Sequence, residues 1–217
     1  MGVLQEVSFT QLIAFVGLAY ILLFGLLSKF RGEALSLQFA LEGLSITTVG
    51  VILAYWGQFS TPVYPVLFFF LLYTITMRAR WMVDLANYLI ARRRYRDGMM
   101  LFDLALRLRP DAISRRLVEI NQAVGFFRLG HVARAREILT RVLERAETDG
   151  LSARHVAAVH YNLGIIARAE GKEDEARRHF NQAVDIAPHS IYAYGAMQAL
   201  NKPPTSRDQA LPDRESS

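Results

Sequence analysis

The chain has 217 residues, 52% of them hydrophobic, a formal net charge of +5 at pH 7 and no cysteine. The lack of cysteine excludes a disulfide framework, a zinc ribbon and a thiol nucleophile. Charge is unevenly distributed, because few charged side chains and no histidine occur before Met77, where the sequence becomes strongly basic. The two parts are therefore interpreted separately.

Three apolar runs in the first part predict transmembrane helices. They read FTQLIAFVGLAYILLFGLL from Phe9, FALEGLSITTVGVILAYWG from Phe39 and TPVYPVLFFFLLYTITM from Thr61. Each is close to the roughly 20 residues that a helix needs to cross a hydrocarbon core of about 30 Å. The first run lacks a preceding basic residue and a convincing cleavage site, so we interpret it as a retained span. We expect Glu42 to lie near the membrane surface, where a charge costs least.

The basic residues predict how the spans are oriented. The first loop carries Lys29 and Arg31, the second loop carries no charge, and the segment after the third run is rich in arginine. The positive-inside rule then places the N-terminus outside and the C-terminal part in the cytoplasm, in a multi-pass protein of the cell (inner or plasma) membrane. We expect anionic lipid head groups near Arg78, Arg80 and Arg92.

The segment after the third run is also expected to be helical. No proline or glycine interrupts the chain from Val66 to Tyr95, which predicts one continuous or slightly kinked helix leaving the bilayer. Its arginines alternate with aromatic residues such as Trp81 and Tyr88, a pattern typical of an interfacial helix or a nucleic-acid patch. Beside a span we favour lipid, and no nucleic-acid partner is expected.

The stretch HYNLGIIARAEGKEDEARRHF, residues 160–180, places small, bulky and turn residues at regular positions. Gly164 and Ala176 are small where two helices would cross closely, and Phe180 supplies bulk between them. Gly171 ends the first helix, and acidic residues begin the second. In order and spacing these residues resemble the tetratricopeptide repeat.

A single repeat of this kind cannot bury its apolar face, so neighbouring repeats are expected. Upstream stretches carry small and bulky residues in the same register, including Gly98 and Phe102 in one and Ala135 and Leu139 in the other. Three repeats are therefore predicted, near residues 79–112, 116–149 and 157–190.

The predicted fold is all-α, with three transmembrane helices followed by an α-solenoid of about three helix-turn-helix repeats and a capping helix. The expected boundaries are a membrane domain at 1–77, a cytoplasmic repeat domain at 78–201 with its capping helix at 190–201, and a disordered tail at 202–217.

Residues with catalytic or metal-binding chemistry are scarce. His155 and His160 are five residues apart and so not on one helical face, and no carboxylate in a metal-binding pattern lies beside them. No phosphate loop or nucleophile elbow occurs. We interpret the charge run around Glu173 and His179 as a solvated helix face. The sequence therefore predicts a protein that is not an enzyme and that binds no metal and no cofactor.

The resemblance implies that a protein or peptide binds in the concave groove formed by the first helix of each repeat. Basic residues that clamp a chaperone's C-terminal carboxylate in some members are replaced here by Val83, Ala158 and Asn162. An apolar peptide or helix, its backbone bound by asparagines, therefore suits the groove better. Carried over by register, the groove residues are Asn87, Leu117, Ile120, Asn121, Val124, Phe127, Tyr161, Asn162, Ile165 and Arg168.

Two functions are consistent with these features. The first is a membrane-anchored adaptor or scaffold that binds a protein or peptide in its groove and recruits or assembles a membrane complex. The alternative is an integral structural or accessory subunit of a transporter or other multisubunit membrane complex, bound through its spans.

Overall fold

The structure is a computed structural model that describes residues 8–30, 32–33, 36–57 and 63–201. Within these ranges every regular element is an α-helix and no strand occurs, which confirms the predicted all-α class. The tail predicted at 202–217 lies outside the described residues.

Ten helices follow one another along the described chain, and it divides into two compact units, Met1–Arg78 and Ala79–Ser217. The helices are α1 (Phe9–Phe30), α2 (Leu37–Gly57), α3 (Val63–Thr76), α4 (Arg78–Ala91), α5 (Tyr95–Arg107), α6 (Ala112–Arg128), α7 (Val132–Glu144), α8 (Ala153–Ala169), α9 (Glu173–Ile186) and α10 (Ile191–Asn201).

Two helices of the first unit, α1 and α2, are each long and apolar enough to cross a membrane. In the described chain, α3 has 14 residues and is therefore only about 21 Å long. A third span is found only if α3 and α4, which are bent at their junction, count as one. Of the three predicted spans, the first two are therefore supported by α1 and α2 alone, and the third only if α3 and α4 form one bent span.

The three helices of the first unit pack closely because small residues lie at their crossings. A Cβ at Gly17 would overlap the Thr47 hydroxyl, and one at Gly50 would lie 2.6 Å from the Phe68 ring. Tyr20 and Leu72 are almost completely buried between the helices. Small residues at helix crossings let backbones approach closely, as in membrane helix bundles.

The prediction of one helix from Val66 to Tyr95 is wrong. The chain leaves the helix at Met77 and again after α4. Near the first break, the Thr76 hydroxyl donates 2.7 Å to the Leu72 carbonyl and lies 2.5 Å from the Tyr20 hydroxyl. A threonine that bonds to the carbonyl four residues earlier often bends a helix, although Thr74 makes the same bond inside α3 without a break.

The second unit consists of three helix pairs, α4–α5, α6–α7 and α8–α9, followed by α10. The turns inside the second and third pairs contain Gly130 and Gly171 with φ of 80° and 75°, a left-handed conformation that glycine adopts without strain. Arg93 takes the corresponding place in the first pair with φ of 62°. The pairs therefore share one turn geometry, although only two of them have the expected glycine.

Apolar clusters join each pair to the first helix of the next. The cluster of α4 and α5 includes Val118 of α6, and the cluster of α6 and α7 includes Leu163 of α8. The third cluster joins α8, α9 and α10 around Phe180. As predicted, Gly164 lies directly against the Phe180 ring, and Ala176 is completely buried. Each pair thus buries its apolar face against its neighbour, as stacked repeats do.

Candidate functional site

The first helices of the three pairs carry a line of polar and apolar side chains that are not fully buried. Asn87 is exposed, and the others are half-buried. They recur at spacings of four and three residues on α6 and of three residues on α8, which places them on one face of each helix. We call this set the asparagine stripe: Asn87, Leu117, Asn121, Val124, Asn162 and Ile165.

Hydrogen bonds order the amides of the stripe. The Asn87 Nδ2 donates to the Asn121 Oδ1 over 3.0 Å, across the boundary between the first two pairs. The Asn121 Nδ2 donates 2.7 Å to the carbonyl of Leu117, and the Asn162 Nδ2 donates 2.9 Å to the carbonyl of Ala158. Asn121 and Asn162 therefore have the same orientation on successive first helices. An amide offers both donors and an acceptor, which is the chemistry needed to bind a peptide backbone.

Two other predicted groove residues pack between helices. Ile120 is 6% exposed and lies in the cluster with Val159 and Leu163 of α8, and Phe127 is half-buried against the same cluster. Ile120 therefore stabilises the contact between the second and third pairs and presents little surface to a peptide.

Tyr161 is half-buried beneath α10. Its ring centroid lies 6.0 Å from that of Phe180 and 6.2 Å from that of Tyr192. A Cβ at Gly195 would lie 3.0 Å from the Tyr161 ring. This side chain therefore holds the last helix against the third pair.

Arg168 is buried, and its guanidinium joins α8 to α9 and α10. Its Nη2 donates 2.9 Å to Oε1 of Glu173, and its Nη1 donates 2.9 Å to the carbonyl of Ala199. The guanidinium carbon also lies 4.9 Å from the centre of the Phe180 ring. Arg168 thus has a structural role, and Glu173 is its counterion rather than part of a solvated face.

The rest of the charge run after α8 also takes part in packing. Arg136 of α7 bonds Glu170 over 2.7 Å and Glu175 over 2.5 Å. These bonds connect the second pair to the third. Each of the three side chains is about one-quarter exposed. The interpretation of this run as a solvated face is therefore wrong for Glu173 and Glu175.

A histidine pair that the sequence did not indicate joins α8 to α9. The Nδ1 atoms of His160 and His179 lie 3.1 Å apart, so one ring must donate and the other accept. Burial and the neighbouring ring of His179 lower the pKa of His160 to about 4. Burial also lowers the pKa of His179. Both rings are therefore neutral at pH 7, where one hydrogen bond can join them.

One surface depression lies away from the stripe. A shallow depression of about 440 Å³ is lined by α7 side chains, among them Arg136 and Thr140, and by Glu170. It contains no residue of the asparagine stripe. Among the described residues, no group of three or more His, Asp or Glu side chains could hold a metal ion.

Comparison with known proteins identifies the repeats. A family model described as tetratricopeptide repeat matches residues 115–189. The match covers nearly all of α6 to α9, and the pair α4–α5 shows the same helix-turn-helix form outside it. No curated protein and no solved structure matches the chain.

Proposed function

We propose that the protein is a membrane-anchored adaptor that binds a peptide or protein segment along the asparagine stripe and so recruits or assembles a membrane complex. The observation that carries the proposal is the equivalent placement of Asn121 and Asn162 beside Val124 and Ile165. On each helix an amide for a peptide backbone lies next to an apolar surface for its side chains. Tetratricopeptide repeats suggest a protein-interaction role in general, and the stripe supplies specific chemistry for it.

The preferred partner is an apolar or weakly polar segment in an extended or helical conformation. The stripe contains Leu117, Val124 and Ile165 and no charged residue, so a charged peptide would lose hydration without gaining a counterion. Binding along three successive helices would then depend on many moderate contacts. The chain itself thus favours a segment of another membrane-complex subunit over a charged C-terminal tail.

The membrane domain of this proposal comprises residues 1–77, and residues 78–201 form a repeat domain in the cytoplasm of a cell-membrane protein. The packing of α2 against α3 supports three crossings. Gly50 meets Phe68, and Glu42 pairs with Arg78, so the two helices run antiparallel side by side. If α2 crosses the bilayer, α3 traverses much of the same layer.

Affinity purification of the full chain from mild detergent, followed by mass spectrometry, tests the binding proposal. We expect Asn162→Ala to weaken partner binding by about 1 to 3 kcal/mol, because a bound polar group loses its hydrogen bond. Val124→Asp should abolish recovery by placing an unpaired charge in the interface. Asn181→Ala is the matched control, since Asn181 is an exposed asparagine on the second helix α9.

The opposing results are equally specific. Full recovery of the same partners by the double variant Asn162→Ala, Val124→Asp, with unchanged helicity, would exclude the stripe as the binding site. Stoichiometric recovery of a partner by residues 1–77 alone would favour a complex subunit bound through its spans.

Reporter fusions test the topology. A reporter active only in the cytoplasm should function after Asn201, and one active only outside should function near Ser60. The reverse pattern would place the repeats on the other side of the membrane.

A further inference from the structure

The first helix of the repeat unit has an exposed aromatic face. Trp81, Leu85 and Tyr88 are 52%, 50% and 55% exposed, and their spacing of four and three residues places them on one side of α4. Arg92 continues the line, with its guanidinium carbon 5.3 Å from the centre of the Tyr88 ring. We call Trp81, Leu85 and Tyr88 the α4 face.

The corresponding positions in the later repeats are covered. In repeat register they are Val118, Gln122 and Gly125 on α6, which are all buried, and Val159, Leu163 and Ile166 on α8, at 0%, 2% and 2% exposure. The second helix of the preceding pair supplies the cover. At the end of a repeat array this position normally carries polar residues for solubility. The α4 face carries large apolar ones, so something apolar is expected to cover it.

The chemistry of this face matches the surface of a lipid bilayer. Tryptophan and tyrosine favour the boundary between the hydrocarbon and the head groups, and arginine binds the phosphates there. A buried protein interface would account for the apolar area, but the combination of aromatic rings with a terminal arginine is typical of an interfacial helix.

The position of α4 in the chain brings this face to a membrane boundary. Only Met77 separates α4 from α3. At that junction the two Arg78 nitrogens Nη1 and Nη2 donate to the two Glu42 carboxylate oxygens over 2.6 and 2.9 Å. The carboxylate of α2 therefore fixes the start of α4 at the end of α3. It also engages the guanidinium of Arg78, so the predicted contact of Arg78 with lipid passes to residues further along α4.

The length of α4 limits how the helix can be oriented at the membrane boundary. From Trp81 to Arg92 the helix rises about 16 Å, whereas the head-group layer is only about 5 to 8 Å deep on each side. The whole line stays within that layer only if α4 runs along the surface.

We infer that α4 lies along the membrane surface with the α4 face in the lipid interface and Arg92 among anionic head groups. This inference rests on the membrane anchoring in the proposed function. Asn87 is about 130° around the helix from the α4 face, by the geometry of 3.6 residues per turn. The docked helix therefore directs the asparagine stripe away from the lipid, where a partner segment can reach it.

Single-cysteine spin labelling of the full chain tests this inference, since the chain has no cysteine of its own. Labels at Leu85→Cys and Tyr88→Cys are compared with one at Ala91→Cys, an exposed position about 90° away on the same helix. The protein is placed in nanodiscs of phosphatidylcholine and phosphatidylglycerol, at one copy per disc and without a partner.

At Leu85→Cys and Tyr88→Cys we expect the spin label to be less accessible to a water-soluble nickel chelate, and more accessible to oxygen, than the label at Ala91→Cys. Equal access to nickel at Leu85→Cys, Tyr88→Cys and Ala91→Cys would overturn the inference. Shielding that requires two copies per disc would also overturn it, because the α4 face would then be covered by a second chain.

A label at Leu53→Cys, on an exposed side of α2, separates this inference from the proposed anchoring. Oxygen access at Leu53→Cys together with nickel access at Leu85→Cys would leave the anchor in place and refute the docking of α4. Nickel access at both positions would refute the membrane anchor itself.

Discussion

The contact between Gly164 and Phe180 predicts whether adding a methyl group at Gly164 stabilises or destabilises the third repeat. A Cβ at Gly164 would lie 2.5 Å from Cε1 and 2.7 Å from Cδ1 of Phe180. The ring is fully buried, and Arg168 lies over it at 4.9 Å. Since the ring has little room to move, Gly164→Ala must displace packed atoms.

The expected magnitude follows from two opposing effects. Overpacking a core costs about 1 to 3 kcal/mol, whereas replacing glycine with alanine inside a helix stabilises the helix by about 1 kcal/mol. Three ring atoms lie within 3.0 Å of the new methyl group, so we expect net destabilisation of about 1 to 2 kcal/mol. Phe180→Val removes those ring atoms, and in that background Gly164→Ala should instead stabilise the helix by about 1 kcal/mol.

Hydrogen exchange of the α8 and α9 amides in the full chain is the suitable assay. The chain has two compact units, so a global melt would not be a single two-state transition, whereas exchange reports local opening. Gly164→Ala should speed exchange about 5- to 30-fold, at 1.4 kcal/mol for each factor of ten. If its cost is the same in both backgrounds within about 0.5 kcal/mol, the two sites are independent and the proposed contact is wrong.

Two further predictions concern charge. Glu173→Ala should destabilise α9 and α10 by about 2 to 3 kcal/mol, because the Arg168 side chain is only 9% exposed and loses its counterion. As a control, Glu137→Ala removes a side chain that is 67% exposed and should cost under about 0.5 kcal/mol. Equal rates of amide hydrogen exchange in the two variants would contradict this prediction. The pKa of His160 is lowered to about 4 from 6.5, so the stability of α8 and α9 should be complete above pH 6.5. It should fall by about 1 to 3 kcal/mol between pH 6.5 and about 4, because there the unfolded imidazole binds a proton that the folded one does not. His160→Phe should remove most of that dependence, and an unchanged pH profile in this variant would exclude His160 as its source.

The fold was largely predictable because its determinants are local. Apolar run length identified α1 and α2, and the positions of Gly164 and Phe180 identified a helix crossing whose contact the structure shows. The break at Met77 was not predictable from proline and glycine. It accompanies hydroxyl bonding between Tyr20 and Thr76, residues 56 positions apart.

The candidate site was harder to predict, because a repeat register specifies a position and not what the side chain contacts. Register alone placed Arg168 in the groove, yet its partner Glu173 is five residues away across a helix turn. An arginine and a glutamate on either side of such a turn are a signal that was available in the sequence. The pairing of His160 with His179 joins two helix faces, so neither helix shows it in isolation.

The bidentate pair between Glu42 and Arg78 has a consequence for how the chain is made. During synthesis Glu42 emerges 36 residues before Arg78. A carboxylate that entered a bilayer at that stage would therefore lack its guanidinium partner. If α2 and α3 span the bilayer as proposed, they are expected to enter it together as a hairpin, and a chain truncated before Arg78 should insert α2 less efficiently. Replacing Glu42 with glutamine should relieve that requirement and restore insertion of the truncated chain.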